Sequence, residues 1–216
     1  MSVAWVAGAT GLVGSHLVHE LARRASYDRV VALVRGGAED MPRGVERAVV
    51  NFDDPATFPA GPVNDVYCAL GTTIGKAGSQ EAFRRVDYEY PLRVARHAVE
   101  AGARQFLLVS SVGANHRSSN FYLRVKGELE LALAALPWSS LRIFRPSVLL
   151  GARPESRMGE SIGKGLAVAI GFLLVGPLSQ YRGMPAETLA RAMAQAAREP
   201  GPRVLHYREI VEMARR

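Results

Sequence analysis

Tyr122 and Lys126 lie four positions apart in the run Phe121-Tyr-Leu-Arg-Val-Lys126. On a helix this spacing puts both side chains on one face. An ammonium beside a phenol favours the phenolate, the property a tyrosine needs to exchange protons near neutral pH. Two hydroxyls, Ser110 and Ser111, close the apolar run Phe106-Leu-Leu-Val109 just upstream. Either could donate a hydrogen bond to a carbonyl oxygen, and the sequence leaves open which of them faces a cleft. Near the N-terminus, Gly8-Ala-Thr-Gly11-Leu-Val-Gly14 follows the apolar run Ser2-Val-Ala-Trp-Val-Ala7. Glycines so spaced fit a nucleotide pyrophosphate. Gly8 turns the backbone sharply out of a strand, Gly11 lets the main chain approach with no Cβ in the way, and Gly14 lets a helix pack closely on the strand. The helix start then offers free N–H groups and a positive dipole end to the phosphates.

These groups need a scaffold that brings distant segments to one edge, and the apolar pattern supplies one. Strands are predicted at 2–7, 30–34, 45–52, 63–70, 106–110 and 141–145, and the continuous apolar run at 30–34 is that expected of a parallel sheet covered on both faces. Helices are predicted at Ser15 to about Arg24, at Ser79–Ala101 with a bend near Pro91, at Asn120–Leu136 and at Pro185–Arg198. Val204–Tyr207 reads as a last strand with a terminal helix after it. Alternating strands and helices predict an α/β fold with a doubly wound parallel sheet. Ligands of such sheets lie beyond the carboxyl ends of the strands, where Gly8–Gly14, Arg35, Asp53, Gly71–Thr73, Ser110–Ser111 and Pro146 all fall. The 216 residues suit one domain, with about 147–185 as a small substrate-region insertion.

Arg35 bears on the choice of nucleotide. Sites that prefer NAD place an acid about 20 residues past the glycine turn to bind the ribose 2′-hydroxyl. Here the second strand ends in Arg35-Gly-Gly, and an arginine suits a 2′-phosphate. NADP(H) is therefore expected over NAD(H). Other candidates carry less. Gly71-x-x-x-Gly-Lys76-Ala is one residue short of a phosphate loop and lacks its Ser/Thr. His16 and His19 share a helix face but have no acid or cysteine cluster to complete a metal site. Cys68 sits inside a predicted strand as a small buried residue. Arg153, Glu155 and Arg157 fall where an anionic substrate or surface ion pairs would use them.

The net charge of +7 does not by itself indicate nucleic acid, because the basic residues are almost all arginine and form no five-residue block. A positive surface equally suits phosphorylated small molecules. One cysteine excludes an internal disulfide framework and fits a reducing compartment. With a strand beginning at residue 2, no leader is expected, and a cytoplasmic location follows. The most apolar stretch, Leu166–Val175, is too short for the roughly 20 residues that span a bilayer. It reads as a buried or interface helix.

Taken together, G-A-T-G-x-x-G, S-S and Y-x-x-x-K resemble the short-chain dehydrogenase/reductase superfamily. The segments Cys68–Gly78, Arg85-Val-Asp87, Ser110–Ala114, Ser118–Glu128 and Phe144–Gly151 are similar to its atypical branch, which contains the HIV Tat-interacting oxidoreductase-like proteins. That resemblance implies a Rossmann fold and roles by position. Tyr122 would be the general acid in carbonyl reduction, with Lys126 tuning it and binding the nicotinamide ribose. Ser111, or Ser110, would hold the substrate carbonyl. Gly8, Thr10, Gly11, Leu12, Val13 and Gly14 would surround the pyrophosphate, and Asp53 would lie near the adenine. Leu70, Gly71 and Thr72 would line the adenosine and ribose side, and Pro146 would sit near the nicotinamide. The expected function is NADPH-dependent reduction of a small carbonyl compound. The alternatives are a non-catalytic NADP(H) sensor acting through a protein partner, and nucleotide-sugar epimerase or dehydratase chemistry. A homodimer is compatible with all three.

Overall fold

In the computed structural model the described residues are 1–24, 26–37, 41–151, 180–196 and 201–216. Seven parallel strands form one sheet: β1 (Val3–Ala7), β2 (Arg29–Val34), β3 (Val45–Val49), β4 (Asp65–Cys68), β5 (Gln105–Val109), β6 (Ser140–Phe144) and, from near the C-terminus, Gly201–Leu205. A separate parallel pair is made by β7 (Leu149–Leu150) and β8 (Met184–Pro185), so the C-terminal strand is β9. The order in the main sheet is β3-β2-β1-β4-β5-β6-β9. The chain winds outward from β1 in one direction, then returns to β4 and winds in the other. This Rossmann-like order opens a crevice at the carboxyl ends of β1 and β4.

Each strand residue of β1 is buried, and successive side chains serve opposite cores. Ala4 and Val6 meet Leu17 and Leu21 of helix α1 (Leu12–Arg23). Val3, Trp5 and Ala7 share the other core with Ala95 of Tyr90–Glu100 and Leu129 of Phe121–Ala134. The two-sided burial is why the central strands read as unbroken apolar runs rather than alternating ones.

Between β4 and β5 the chain forms α2 (Ile74–Ala77), α3 (Gln80–Arg84), a π-helical turn over Arg85–Glu89, and α4 (Tyr90–Glu100). The bend expected near Pro91 therefore lies before it. Pro91 occupies the first turn of α4, where a missing N–H costs little, and the wide π turn absorbs the change in direction. Helix α5 (Phe121–Ala134) is capped by Asn120, whose Oδ1 accepts from the Leu123 N–H at 3.1 Å. The predicted last strand shifts to β9, and Tyr207 instead opens a terminal helix. Helices α6 (Ala186–Gln195) and α7 (Tyr207–Met213) complete the layer over α1. Most of the region 147–185, with Arg153, Glu155, Arg157 and Leu166–Val175, lies outside the described residues. No helix among the described residues is long and apolar enough to cross a membrane.

Candidate functional site

The parallel register pairs Ala7 with Cys68, which sets the glycine turn beside Ala69–Gly71. Gly8 has φ +88°, and a Cβ there would stand 2.7 Å from the Ala69 carbonyl carbon. Only glycine meets both demands. A Cβ on Gly14 would lie 2.0 Å from the Gly8 carbonyl oxygen, so α1 starts in direct contact with the turn. Gly11 is the N-cap of α1, donates its N–H to Gly8 O at 2.9 Å, and offers the helix no side-chain cap. The first-turn amides of Leu12, Val13 and Gly14 are thus placed as an anion cradle. Val13 is buried in the core and can offer only its backbone.

Gly8, Thr10, Gly11, Arg35, Leu70 and Gly71 line one cleft. The Phe52 and Tyr90 rings, stacked with centroids 5.4 Å apart, line it too. Arg35 is its single charged lining residue and is exposed, and no carboxylate lines it among the described residues. Asp53 is exposed and not among the lining residues: its carboxylate accepts from the Tyr90 hydroxyl at 2.8 Å and from Arg93 at 2.7 Å. The tyrosine, then Arg93, hold Asp53 below the usual carboxylate range. The cleft, the glycine turn and the uncapped helix start fit the adenosine and pyrophosphate of a nicotinamide nucleotide.

The reactive residues lie along α5 and the end of β5. Tyr122 is half-buried, its ring 5.6 Å from that of Phe83, and its hydroxyl has no hydrogen bond among the described residues. Lys126 is buried, and its Nζ lies 2.7 Å from Asp87 Oδ1. The spacing of Tyr122 and Lys126 did not disclose this partner. Burial alone would push the Lys126 ammonium down, but Asp87, Tyr122 and Cys68 outweigh it and hold the lysine above its ordinary value. The other Asp87 oxygen accepts from the Thr72 N–H at 2.8 Å. Phe83, Asp87 and Pro91 are all buried, four residues apart. That helical spacing is the signal that could have marked Asp87 as an inward-facing acid.

The two serines differ. Ser110 is buried and donates to Glu130, which is itself paired with Arg145. Ser111 is half-buried, and its hydroxyl donates only to the Val112 carbonyl, at 3.2 Å. Ser111 is therefore the serine with a hydroxyl to offer. Pro146 is buried, and its carbonyl accepts from the Val112 N–H at 2.8 Å, which ties the end of β6 to this loop. Lys76 is exposed on the short α2, and His19 Nδ1 bonds the Ser15 carbonyl at 2.8 Å. Among the described residues no group of three or more His, Cys, Asp or Glu could hold a metal.

Cys68 is fully buried, and desolvation pushes its thiol up to about 12, against a weaker opposing effect of the Leu70 amide. The thiolate is the reactive form. We expect no reaction of the native protein with an aromatic disulfide reagent at pH 8 and one equivalent after denaturation. Rapid labelling of the native state would contradict this burial.

A family model described as the NAD-dependent epimerase/dehydratase family matches residues 4–208. The chain is 37% identical over 202 residues to protein HTATIP2 of Rattus norvegicus, covering 91% of this chain and 81% of that one. It is 37% identical over 182 residues to the mitochondrial protein FMP52 of Eremothecium gossypii, covering 83% of this chain and 77% of the relative. Among solved structures, a UDP-glucose 4-epimerase superposes with a TM-score of 0.71 at 18% identity, over 98% of this chain and 80% of that one. MoeE5 in complex with UDP-glucose and NAD gives 0.67 at 19% identity, over 99% and 81%. These last two likenesses concern the fold. The cytoplasmic location expected from the sequence is overturned by the FMP52 relatives, which are named mitochondrial. A lone cysteine reports a reducing environment, which is not a compartment.

Proposed function

Because the chain belongs to the NAD-dependent epimerase/dehydratase family, in the atypical short-chain dehydrogenase/reductase branch that contains the HIV Tat-interacting oxidoreductase-like proteins, we propose that it binds NADP(H) and reduces a small carbonyl compound. The observation that carries the choice of nucleotide is the cleft wall, which Arg35 lines as its single charged residue and where no carboxylate among the described residues is present to receive a 2′-hydroxyl. A guanidinium is the side chain best suited to a phosphate monoester.

NADPH, when bound, supplies the hydride. The chain's part is binding, orientation and the proton. The amides of Leu12, Val13 and Gly14 with the Gly8–Gly11 turn hold the pyrophosphate; Leu70, Gly71 and Thr72 line the adenosine and ribose side, and Pro146 borders the nicotinamide. Asp53 acts on the adenine end through Tyr90 rather than by direct contact. Ser111 donates to the carbonyl oxygen. Tyr122, whose hydroxyl is uncommitted, gives that oxygen its proton, and the charged Lys126 beneath it stabilises the phenolate left behind.

Titration of the purified protein with NADPH and NADH, followed by nucleotide fluorescence, tests the reading. Selective NADPH binding is expected, and Arg35→Ala should weaken NADPH by about 10- to 100-fold, the value of a hydrogen bond to a charged group, while NADH binding stays level. Equal losses for both nucleotides would refute the role of Arg35. Protein purified with tightly held NAD+ would favour the epimerase reading. Binding of neither nucleotide would end the cofactor reading.

A further inference from the structure

We propose that Glu130 is a positioning residue of this site: its buried carboxylate ties the helix that carries Tyr122 to the ends of β5 and β6, and so sets the distance between the Tyr122 and Ser111 hydroxyls. The proposal rests on the reductase reading above for its functional half only.

Three elements meet at this one carboxylate. Glu130 belongs to α5, about two turns beyond Tyr122. Its side chain is 8% exposed. Its Oε1 accepts from the Ser110 hydroxyl, just past β5, and from Arg145 Nε at 3.0 Å. Its Oε2 accepts from a second nitrogen of the same guanidinium. Arg145 directly follows β6, and its two-pronged grip on the carboxylate fixes orientation as well as distance. The backbone of Arg145 is held too, its N–H donating to the Leu205 carbonyl at 2.9 Å. Each of the two tied residues precedes one that serves the site. Ser111 follows Ser110, and Pro146 follows Arg145.

The strand ends are joined to each other by main chain. The Ser110 N–H donates to the Phe144 carbonyl at 2.7 Å and the Val112 N–H to the Pro146 carbonyl at 2.8 Å. This ladder does not include α5, which meets the same segment at two levels. Near Tyr122, the Asn115 N–H donates to the Leu123 carbonyl at 3.0 Å, and a Cβ on Gly127 would lie 2.2 Å from His116 N. That contact sets how closely the helix lies against the segment. Farther along, Glu130 reaches the strand ends and fixes how the helix is placed along its own axis. A shift there would strand the buried Ser110 hydroxyl and the Arg145 guanidinium, which is costly for both. Tyr122 and Ser111 must both come within hydrogen-bond reach of one carbonyl oxygen, so their spacing tolerates little drift.

Two substitutions separate reach from charge. Glu130→Asp keeps the charge and shortens the side chain by one carbon–carbon bond, about 1.5 Å. Glu130→Gln keeps the length and an acceptor for Ser110 but loses the charge. A carboxylate that acts as a spacer is damaged more by the first change than by the second.

The test compares the natural protein, Glu130→Asp, Glu130→Gln and Glu130→Gln/Arg145→Met. Steady-state kinetics use NADPH with 4-nitrobenzaldehyde and with cyclohexanone. NADPH titration and amide hydrogen exchange over residues 110–116 and 121–131 run alongside. We expect kcat to fall about 100-fold in Glu130→Asp, the usual cost of a misplacement of about 1 Å, and tenfold or less in Glu130→Gln. NADPH affinity should stay level in both, and exchange should quicken in both segments of Glu130→Asp. Full kcat in Glu130→Asp, even with a lowered Tm, would leave Glu130 to the fold and overturn the positioning role. A larger kcat loss in Glu130→Gln than in Glu130→Asp would assign the effect to charge and overturn the spacing role. So would a loss that falls on KM or on NADPH affinity alone. Should neither single variant fold, the double variant decides, because it leaves no unpaired charge at this point. A lowered kcat there with NADPH affinity kept would uphold the proposal, whereas full kcat or failure to fold would overturn it. If the natural protein binds NADPH and reduces neither carbonyl, the reductase reading fails. The exchange series then still decides whether Glu130 ties α5 to the strand ends, and unchanged exchange would overturn that tie.

Discussion

Gly14→Ala is expected to remove nucleotide binding and to cost about 3 kcal/mol of stability, the upper part of the range for overpacking. The added methyl would lie 2.0 Å from the Gly8 carbonyl oxygen and 2.9 Å from the Ala9 Cα, so backbone rather than a flexible side chain must yield. The movement would separate α1 from β1, and the anion cradle depends on that closeness: the amides of Leu12–Gly14 serve a phosphate only while the helix start abuts the turn. Thermal unfolding and NADPH titration of the same preparation check both effects. Gly75→Ala is the control, because a Cβ there meets nothing within 4 Å. Gly14→Ala with unchanged stability and unchanged affinity would mean that the turn is not the phosphate site.

Tyr122→Phe is expected to lower carbonyl turnover by about 100- to 10,000-fold, the usual share of a general acid, with NADPH affinity and Tm unchanged. The hydroxyl makes no hydrogen bond among the described residues, so its loss leaves no buried partner stranded, and the ring keeps its contact with Phe83. Steady-state kinetics on a panel of small aldehydes and ketones, with nucleotide titration alongside, separates chemistry from binding. Turnover that survives in the variant would move the proton donor elsewhere. Natural protein that binds NADPH and reduces nothing would favour the sensor reading.

What was legible in the sequence was local. Val3–Ala7 reads as a central strand because both its faces are buried, and Gly8-x-x-Gly-x-x-Gly reads as a phosphate turn because the positive φ of Gly8 and the close approach of Gly11 and Gly14 to Gly8 are set within seven residues. The alternation of strands and helices gave the doubly wound class for the same reason. The motifs that resemble the short-chain dehydrogenase/reductase superfamily led to the family that the comparisons show. The location could not be read in this way, because composition reports chemical tolerance and no address.

What the tertiary structure decided involves neighbours that are distant in sequence. Asp87 meets Lys126 because the π turn and α5 pack against the same end of the sheet, and Thr72 joins them from the loop after β4. No spacing within one helix encodes such a meeting. Ser110 and Ser111 are indistinguishable as a dipeptide, and the fold separates them: one donates to Glu130 and is buried, the other donates to the carbonyl of Val112, whose N–H is tied to Pro146. Asp53 likewise finds its hydrogen-bond partners in Tyr90 and Arg93, residues of α4 that reach it only in the folded chain. A sequence specifies periodicity and local backbone shape, whereas the crossover order brings strand ends together, and the charges of this site act on one another across that distance.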